Sequence, residues 1–178
     1  MGRVIDTFDE MYDEPDAHHG TARACLNGHL ITPVVEAEPA KAALKRCVGC
    51  SELAIQACPS CSAPLLGAYY EPENGYLTLN YRLPQFCHEC GTEFEWSKRA
   101  VAAAAAAMRA SGQVTAAEVE QFSRDLPEIA KETPNAVEAV PRTRALLGRL
   151  SETVRSVVRD VLVQVLSDAV SGRIFPRG

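Results

Sequence analysis

Large apolar side chains are scarce in this chain. Aromatics make up 6% of it, with a single Trp, and much of its 47% hydrophobic content is alanine. A stretch with so little bulk needs a source of stability beyond burial. No run of about 18 or more apolar residues occurs, so no membrane span is expected. The N-terminus lacks a basic region followed by an apolar stretch; Asp6, Asp9, Glu10, Asp13, Glu14 and Asp16 stand there instead. That excludes an ordinary secretory leader and makes a reducing, cytoplasmic setting the expectation. The sequence also holds no phosphate-cradling glycine loop, nucleophile elbow or helix-borne His-Glu pair. No enzyme is expected.

Positive charge is short overall, with a net −5, but it is unevenly spread. From Arg142 onward seven Arg face Glu152, Asp160 and Asp168, a local +4 that leaves −9 on the remainder. A chain of this balance is a poor candidate for gripping a phosphate backbone, although a basic C-terminal face stays open.

What the sequence does have is cysteine in pairs. The pattern runs Cys25-x3-His29, Cys47-x2-Cys50, Cys58-x2-Cys61 and Cys87-x2-Cys90. Zinc takes four tetrahedral thiolate or imidazole ligands in closed sites, and a two-residue gap turns both sulfurs toward one ion. Seven cysteines and one histidine make two complete sets, so two structural Zn2+ per chain are expected. An odd number of cysteines fits a disulfide framework poorly. Each tight turn needs a left-handed residue just after it, a place held by Gly91, Ser51 and Ser62. Gly28 lies inside the first turn and accounts for His29 sitting one residue further on.

Two pairings fit the spacing. In the sequential scheme Cys25, His29, Cys47 and Cys50 share one ion, and Cys58, Cys61, Cys87 and Cys90 share the other. A cross-brace would join the first pair to the third and the second to the fourth. The sequential scheme is favoured, because each half then has the knuckle–excursion–knuckle build of a zinc ribbon. His18 and His19 are the fallback for His29, and His88, inside a knuckle, reads as exposed.

The expected fold is α+β: two small zinc ribbons of short β-hairpins, then an all-α region with one long amphipathic helix. Residues 1–20 read as a flexible acidic tail with a short helix over Val4–Met11, 21–96 as the double ribbon, 97–172 as helical, and 173–178 as a C-terminal tail. Candidate strands are Leu53–Ala57, Ala68–Tyr70, Tyr76–Tyr81 and Thr92–Glu95, with a hairpin turn at Asn74-Gly75. Tyr69, Tyr70, Tyr76 and Tyr81 are expected to pack across strands, and Trp96 to plug the junction between ribbon and helix.

Beyond Trp96, Ser97 can cap a helix through the alanine block to Gly112, and Thr115-x2-Glu118 is a capping box. Pro127 should break the second helix, with Asp125 capping the restart, while Pro134 and Pro141 should bound a loop. The long helix is expected over residues 142–170, with a stripe through Leu147, Leu150, Val154, Val158, Leu162 and Leu166. That stripe either packs on the Ala-rich helix or meets a protein partner or a second copy. A non-enzymatic adaptor is the favoured reading, and a nucleic-acid-binding zinc ribbon is the alternative.

Cys25-Leu26-Asn27-Gly28-His29, Cys58-Pro59-Ser60-Cys61, Phe86-Cys87-His88-Glu89-Cys90-Gly91, Glu95-Trp96-Ser97 and Pro141-Arg142-Thr143 resemble an uncharacterised bacterial family, a domain of unknown function. The resemblance covers roughly residues 23–172. It implies paired zinc ribbons followed by helices in an intracellular protein. The chain departs from the usual ribbon knuckle at Ser51 and Ser62, where glycine is expected.

Overall fold

The computed structural model describes residues 18–71, 75–76, 81–163 and 166–175. The expected helix over Val4–Met11, the turn residue Asn74 and most of the expected strand Tyr76–Tyr81 lie outside them.

Strands β1 (His18–Thr21), β2 (Arg23–Cys25) and β3 (Leu30–Thr32) open the chain, followed by a helical turn α1 (Pro39–Ala42) and the short β4 (Ala54–Ile55). Strands β5 (Leu66–Glu71) and β6 (Gly75–Tyr76) complete two antiparallel sheets, ordered β1-β5-β6 and β3-β2-β4. β1 therefore begins inside the stretch read as acidic tail. It is fixed there by pairing His18 with Tyr70 and His19 with Tyr69. Both histidine rings meet those tyrosines edge-on, and the His19 Nδ1 lies 3.1 Å from the Gly67 carbonyl. The sheets meet closely at Gly67, where a Cβ would fall 2.4 Å from the carbonyl oxygens of both Gly20 and Pro33.

The helices are α2 (Glu95–Ser111), α3 (Ala116–Ala130), α4 (Ala136–Gly148), α5 (Glu152–Leu162) and α6 (Asp168–Ile174). α2 ends at Gly112 in the left-handed conformation, and α3 opens with the Thr115–Glu118 capping box, both as the sequence indicates. Ser97 does not cap α2. The helix starts at Glu95, and the Ser97 hydroxyl donates to Glu93 Oε1 at 2.7 Å. The expected strand Thr92–Glu95 reduces to one bridge between Phe86 and Glu93, because the helix has already begun.

Neither proline ends a helix. Pro127 lies within α3 and Pro141 within α4, each at the cost of one backbone hydrogen bond. Burial holds α3 straight through: Leu126 and Ile129 flank Pro127 at 1% and 0% exposure. Asp125 accordingly caps nothing and instead pairs with Arg142 of α4.

The single helix over 142–170 is also corrected, since the segment forms most of α4, all of α5 and the start of α6. A 29-residue helix would run about 44 Å, far beyond the 17 residues of α2 that could cover it. Folding back buries the stripe inside the chain, with Leu147, Leu150, Val158, Leu162 and Leu166 each at 2% exposure or less. Gln113 marks the first break: its Oε1 accepts from the Ser151 backbone N–H at 2.6 Å and its Nε2 lies 3.1 Å from Ser151 Oγ. Ser167 makes the next start, accepting from the Val170 N–H. α6 runs to Ile174, which is buried in the same core.

Two cores result. The helical one gathers Met108, Val119, Phe122, Leu126, Ile129 and the stripe residues. The ribbon core is small: Ala22, Ala24, Leu65, Phe94 and Trp96, closed by Cys58 and Cys87. Contacts join the two halves. Arg82 Nη1 donates to the carbonyl of Val163 at 2.9 Å, just past α5, and lies 3.4 Å from that of Leu166. Lys131 sits 4.6 Å over the Phe86 ring.

Candidate metal centre

Three segments of the chain fold into the same turn. In each, the first cysteine's N–H donates to the carbonyl five residues on: Cys47 to Glu52, Cys58 to Ala63 and Cys87 to Thr92, at 2.8–2.9 Å. The residue after the second cysteine donates back to the first, Ser51 to Cys47, Ser62 to Cys58 and Gly91 to Cys87. Those residues have φ of 57°, 64° and 70°, the left-handed conformation the spacing requires. Serine adopts it twice, at an energetic cost that glycine avoids. The Cys25–His29 turn differs. Its Gly28 N–H donates to Cys25 O at 2.8 Å, and the left-handed residue, φ 84°, lies inside the turn.

The end of β2 and the turn that leads into β3 carry Cys25 and His29 to the knuckle of Cys47 and Cys50. The second and third knuckles bring Cys58 and Cys61 to Cys87 and Cys90. Within each group the donor atoms all lie within 4.8 Å of one another. Geometry therefore selects the sequential pairing over the cross-brace. His29 stands in the first group, whereas His18 and His19 lie on β1 and belong to neither.

The distances suit a tetrahedral ion. Zn–S bonds of about 2.3 Å set sulfurs about 3.8 Å apart. Here Cys25 and Cys50 Sγ are 3.7 Å apart, Cys58 and Cys90 3.8 Å, and Cys61 and Cys87 3.6 Å. His29 presents Nδ1, at 3.2 Å from Cys50 Sγ and 3.7 Å from Cys47 Sγ. Each group supplies four donors, a closed set.

Around the sulfurs stand groups that favour thiolate. The Glu52 backbone N–H, opposed by burial and helped by Asn27 and His29, holds the Cys50 thiol down to about 6. The Thr92 hydroxyl and backbone N–H hold Cys90 down to about 6. Its neighbour Cys61 moves the other way, to about 12: the Ala63 N–H resists, but Cys90, burial and Cys87 prevail. Sulfurs this close cannot all carry charge unless a cation sits among them.

A second layer of contacts braces the first centre. Asn27 Nδ2 donates to Cys50 Sγ at 3.5 Å, while its Oδ1 accepts from Arg99 of α2. Arg99 also pairs with Glu52 at 2.9 Å. Trp96 stacks on Phe94 with centroids 4.5 Å apart, and its Nε1 donates to Pro84 O at 2.9 Å. It fills the ribbon–helix junction as the sequence suggests.

The motifs that the sequence shares with a bacterial family thus converge on two four-donor groups. A family model described as an uncharacterised protein conserved in bacteria (DUF2321) matches residues 18–174. The chain belongs to that family. The DUF2321 match starts at the first residue of β1 and ends at the last of α6. No curated protein and no solved structure matches the chain.

All eight expected ligands of this DUF2321 protein come together, and the tyrosines of β5 pack across strands. Asn27, Glu52, Thr92 and Arg99 are missed by motif reading. Asn27, Glu52 and Thr92 could have been found, since each lies two residues from a candidate ligand. Arg99 could not, because only the docking of α2 brings it near. No helix among the described residues is long and apolar enough to cross a membrane.

Proposed function

We propose that the protein is a non-enzymatic, zinc-stabilised interaction module of the cytoplasm, holding one Zn2+ in each four-donor group. The observation that carries this reading is the closure of both groups. A catalytic zinc keeps a position for water, and here four protein donors already converge on each point. Thiolate-rich donor sets favour zinc over the hard cations.

Leu147, Leu150, Val158, Leu162 and Leu166 of the 142–170 stripe are buried, which argues against docking through most of that stripe, although Val157 is 48% exposed. Exposed apolar side chains also lie beside the first centre: Val48, between two candidate ligands, is 88% exposed, and Leu53 is 47% exposed. A protein partner contacting the first knuckle is the reading these support.

Nucleic-acid binding is the weaker alternative. Arg23 donates to Leu44 O and Gln56, Arg46 to Ser51 O, and Arg82 to carbonyls near α5. These guanidiniums serve the fold.

The test has two arms. Elemental analysis of protein purified without chelator should give two zinc per chain, with thiols that react slowly until chelator is added. Fewer than two equivalents, or thiols titrating at full rate beforehand, overturns the metal reading. Cross-linking in native cells should recover a partner with the wild type and lose it with Val48→Asp at unchanged metal content. Recovery of RNA or DNA whose binding falls steeply with salt would replace the interaction reading.

A further inference from the structure

On the reading of both groups as zinc centres, we propose that Cys61 and Cys90 form an oxidative modification site. A hydroperoxide converts this pair to a disulfide, and the second centre gives up its ion.

The two centres are unequally covered. Of the seven cysteines, Cys61 and Cys90 are the exposed ones, and both belong to the second group. Around them every residue of the two knuckle tips, 59–62 and 88–91, is exposed. In the first group Cys25 and Cys47 are buried and Cys50 is half-buried. Cys50 also receives a hydrogen bond from Asn27, whose Oδ1 in turn accepts from Arg99. His29 is exposed, but its imidazole offers an oxidant no thiol.

Charge favours the same centre. Four thiolates around Zn2+ leave two negative charges there, whereas three thiolates and a neutral imidazole leave one on the first centre. The sulfurs of the second centre are therefore both more electron-rich and more accessible, the two conditions for attack on a peroxide.

Within the second centre the sulfurs divide into an inner and an outer pair. Cys58 and Cys87 close the ribbon core at 2% and 4% exposure. Cys61 and Cys90 come from different knuckles, with their sulfurs within 4.8 Å of each other. A disulfide draws such sulfurs to about 2.0 Å, and here the movement falls on the exposed tips.

The chemistry balances with the peroxide as sole oxidant. One outer thiolate attacks it, an S–O bond forms as the O–O bond breaks, and the alcohol (water, from hydrogen peroxide) leaves after taking a proton. The other thiolate then attacks the sulfenic sulfur, and the hydroxyl departs as water with a second proton. Two electrons pass from the sulfurs to the peroxide. The ion keeps two of its four donors and dissociates.

Hydrogen peroxide titrated into the full, zinc-loaded chain tests this, with released zinc read by a colorimetric chelator and cysteine links mapped by mass spectrometry. The expected result is loss of one of the two ions together with a Cys61–Cys90 disulfide, the first centre keeping its metal. Reduction with added zinc should restore the second ion. Limited iodoacetamide labelling of untreated, loaded protein should mark Cys61 and Cys90 ahead of the other five thiols. Loss of both ions in step, a first link that involves any cysteine other than these two, or labelling of Cys50 ahead of them would each overturn the proposal. Fewer than two zinc before peroxide is added would remove the metal reading, whereas a Cys61–Cys90 link formed in that protein would still uphold the pair as the oxidised one.

Discussion

Trp96 lies directly on Gly28, so closely that a Cβ placed at residue 28 would fall 2.8 Å from the Trp96 Cβ. Gly28 sits between the ligands Cys25 and His29, and Trp96 sits in the core that the second centre closes. One contact thus joins the two metal groups. Gly28→Ala adds both a clash and a strained φ of 84°. We expect a loss of about 2–4 kcal/mol, from overpacking and left-handed strain together. The only Trp in the chain makes its fluorescence a direct monitor of thermal unfolding at fixed zinc.

Removing a ligand should act on fold and metal at once. Cys87→Ser should empty the second centre, lowering bound zinc from two to one per chain, and unfold the turns around it, because binding of a structural ion contributes folding energy directly. His29→Ala should speed loss of the first ion to a chelator, whereas His29→Cys should slow it again. Metal-release kinetics with a colorimetric chelator separate the two histidine variants. Equal release from both would remove His29 from the ligand set.

Gly67→Ala should be among the most damaging small substitutions. The added methyl meets two backbone carbonyls at 2.4 Å, and backbone cannot rotate away as a side chain can. A loss of about 2–4 kcal/mol, or failure to fold, is expected. Gly148→Ala is the control. A Cβ there meets nothing within 4 Å, and a gain of about 0.5–1 kcal/mol from helix propensity should appear in urea melts.

The pair of Asp125 and Arg142 should make stability depend on acid. Burial raises the Asp125 carboxyl, but hydrogen bonds from Arg142 and Gln121 outweigh it and hold the group below its ordinary value. The folded pKa is depressed, so the contribution is present above the unfolded value of about 3.9 and is lost as pH falls through the folded one. Arg142→Met should therefore lower stability near neutrality, by an amount that solvent screening of the half-exposed Arg142 keeps modest. The gap between variant and wild type in urea melts should narrow below about pH 4.

The two four-donor groups were legible because their chemistry is local: a sulfur pair two residues apart aims at one point whatever surrounds it. Pairing was legible in outline, since each half carries one excursion between two turns. The α+β order and the caps at Gly112 and Thr115 followed from side chains acting on their own backbone. The helix breaks did not. Pro127 and Pro141 are poor helix residues, yet the core against which Leu126, Ile129 and Leu146 pack outweighs that local preference. Conversely, the stripe after Arg142 has continuous helical periodicity, and it is interrupted by Gln113, a residue 38 positions away from Ser151 in sequence. Periodicity carries no information about such a distant partner.

Arg82 stands in the excursion leading to Cys87, and its guanidinium receives the carbonyls at the end of α5. Emptying the second centre should then be felt well outside the ribbon. Amide hydrogens in the last turn of α5 would exchange with deuterium sooner in chelated protein than in loaded protein, while those in the middle of α3 would stay protected. The C-terminal helices would in this way report whether the distant thiols hold their ion.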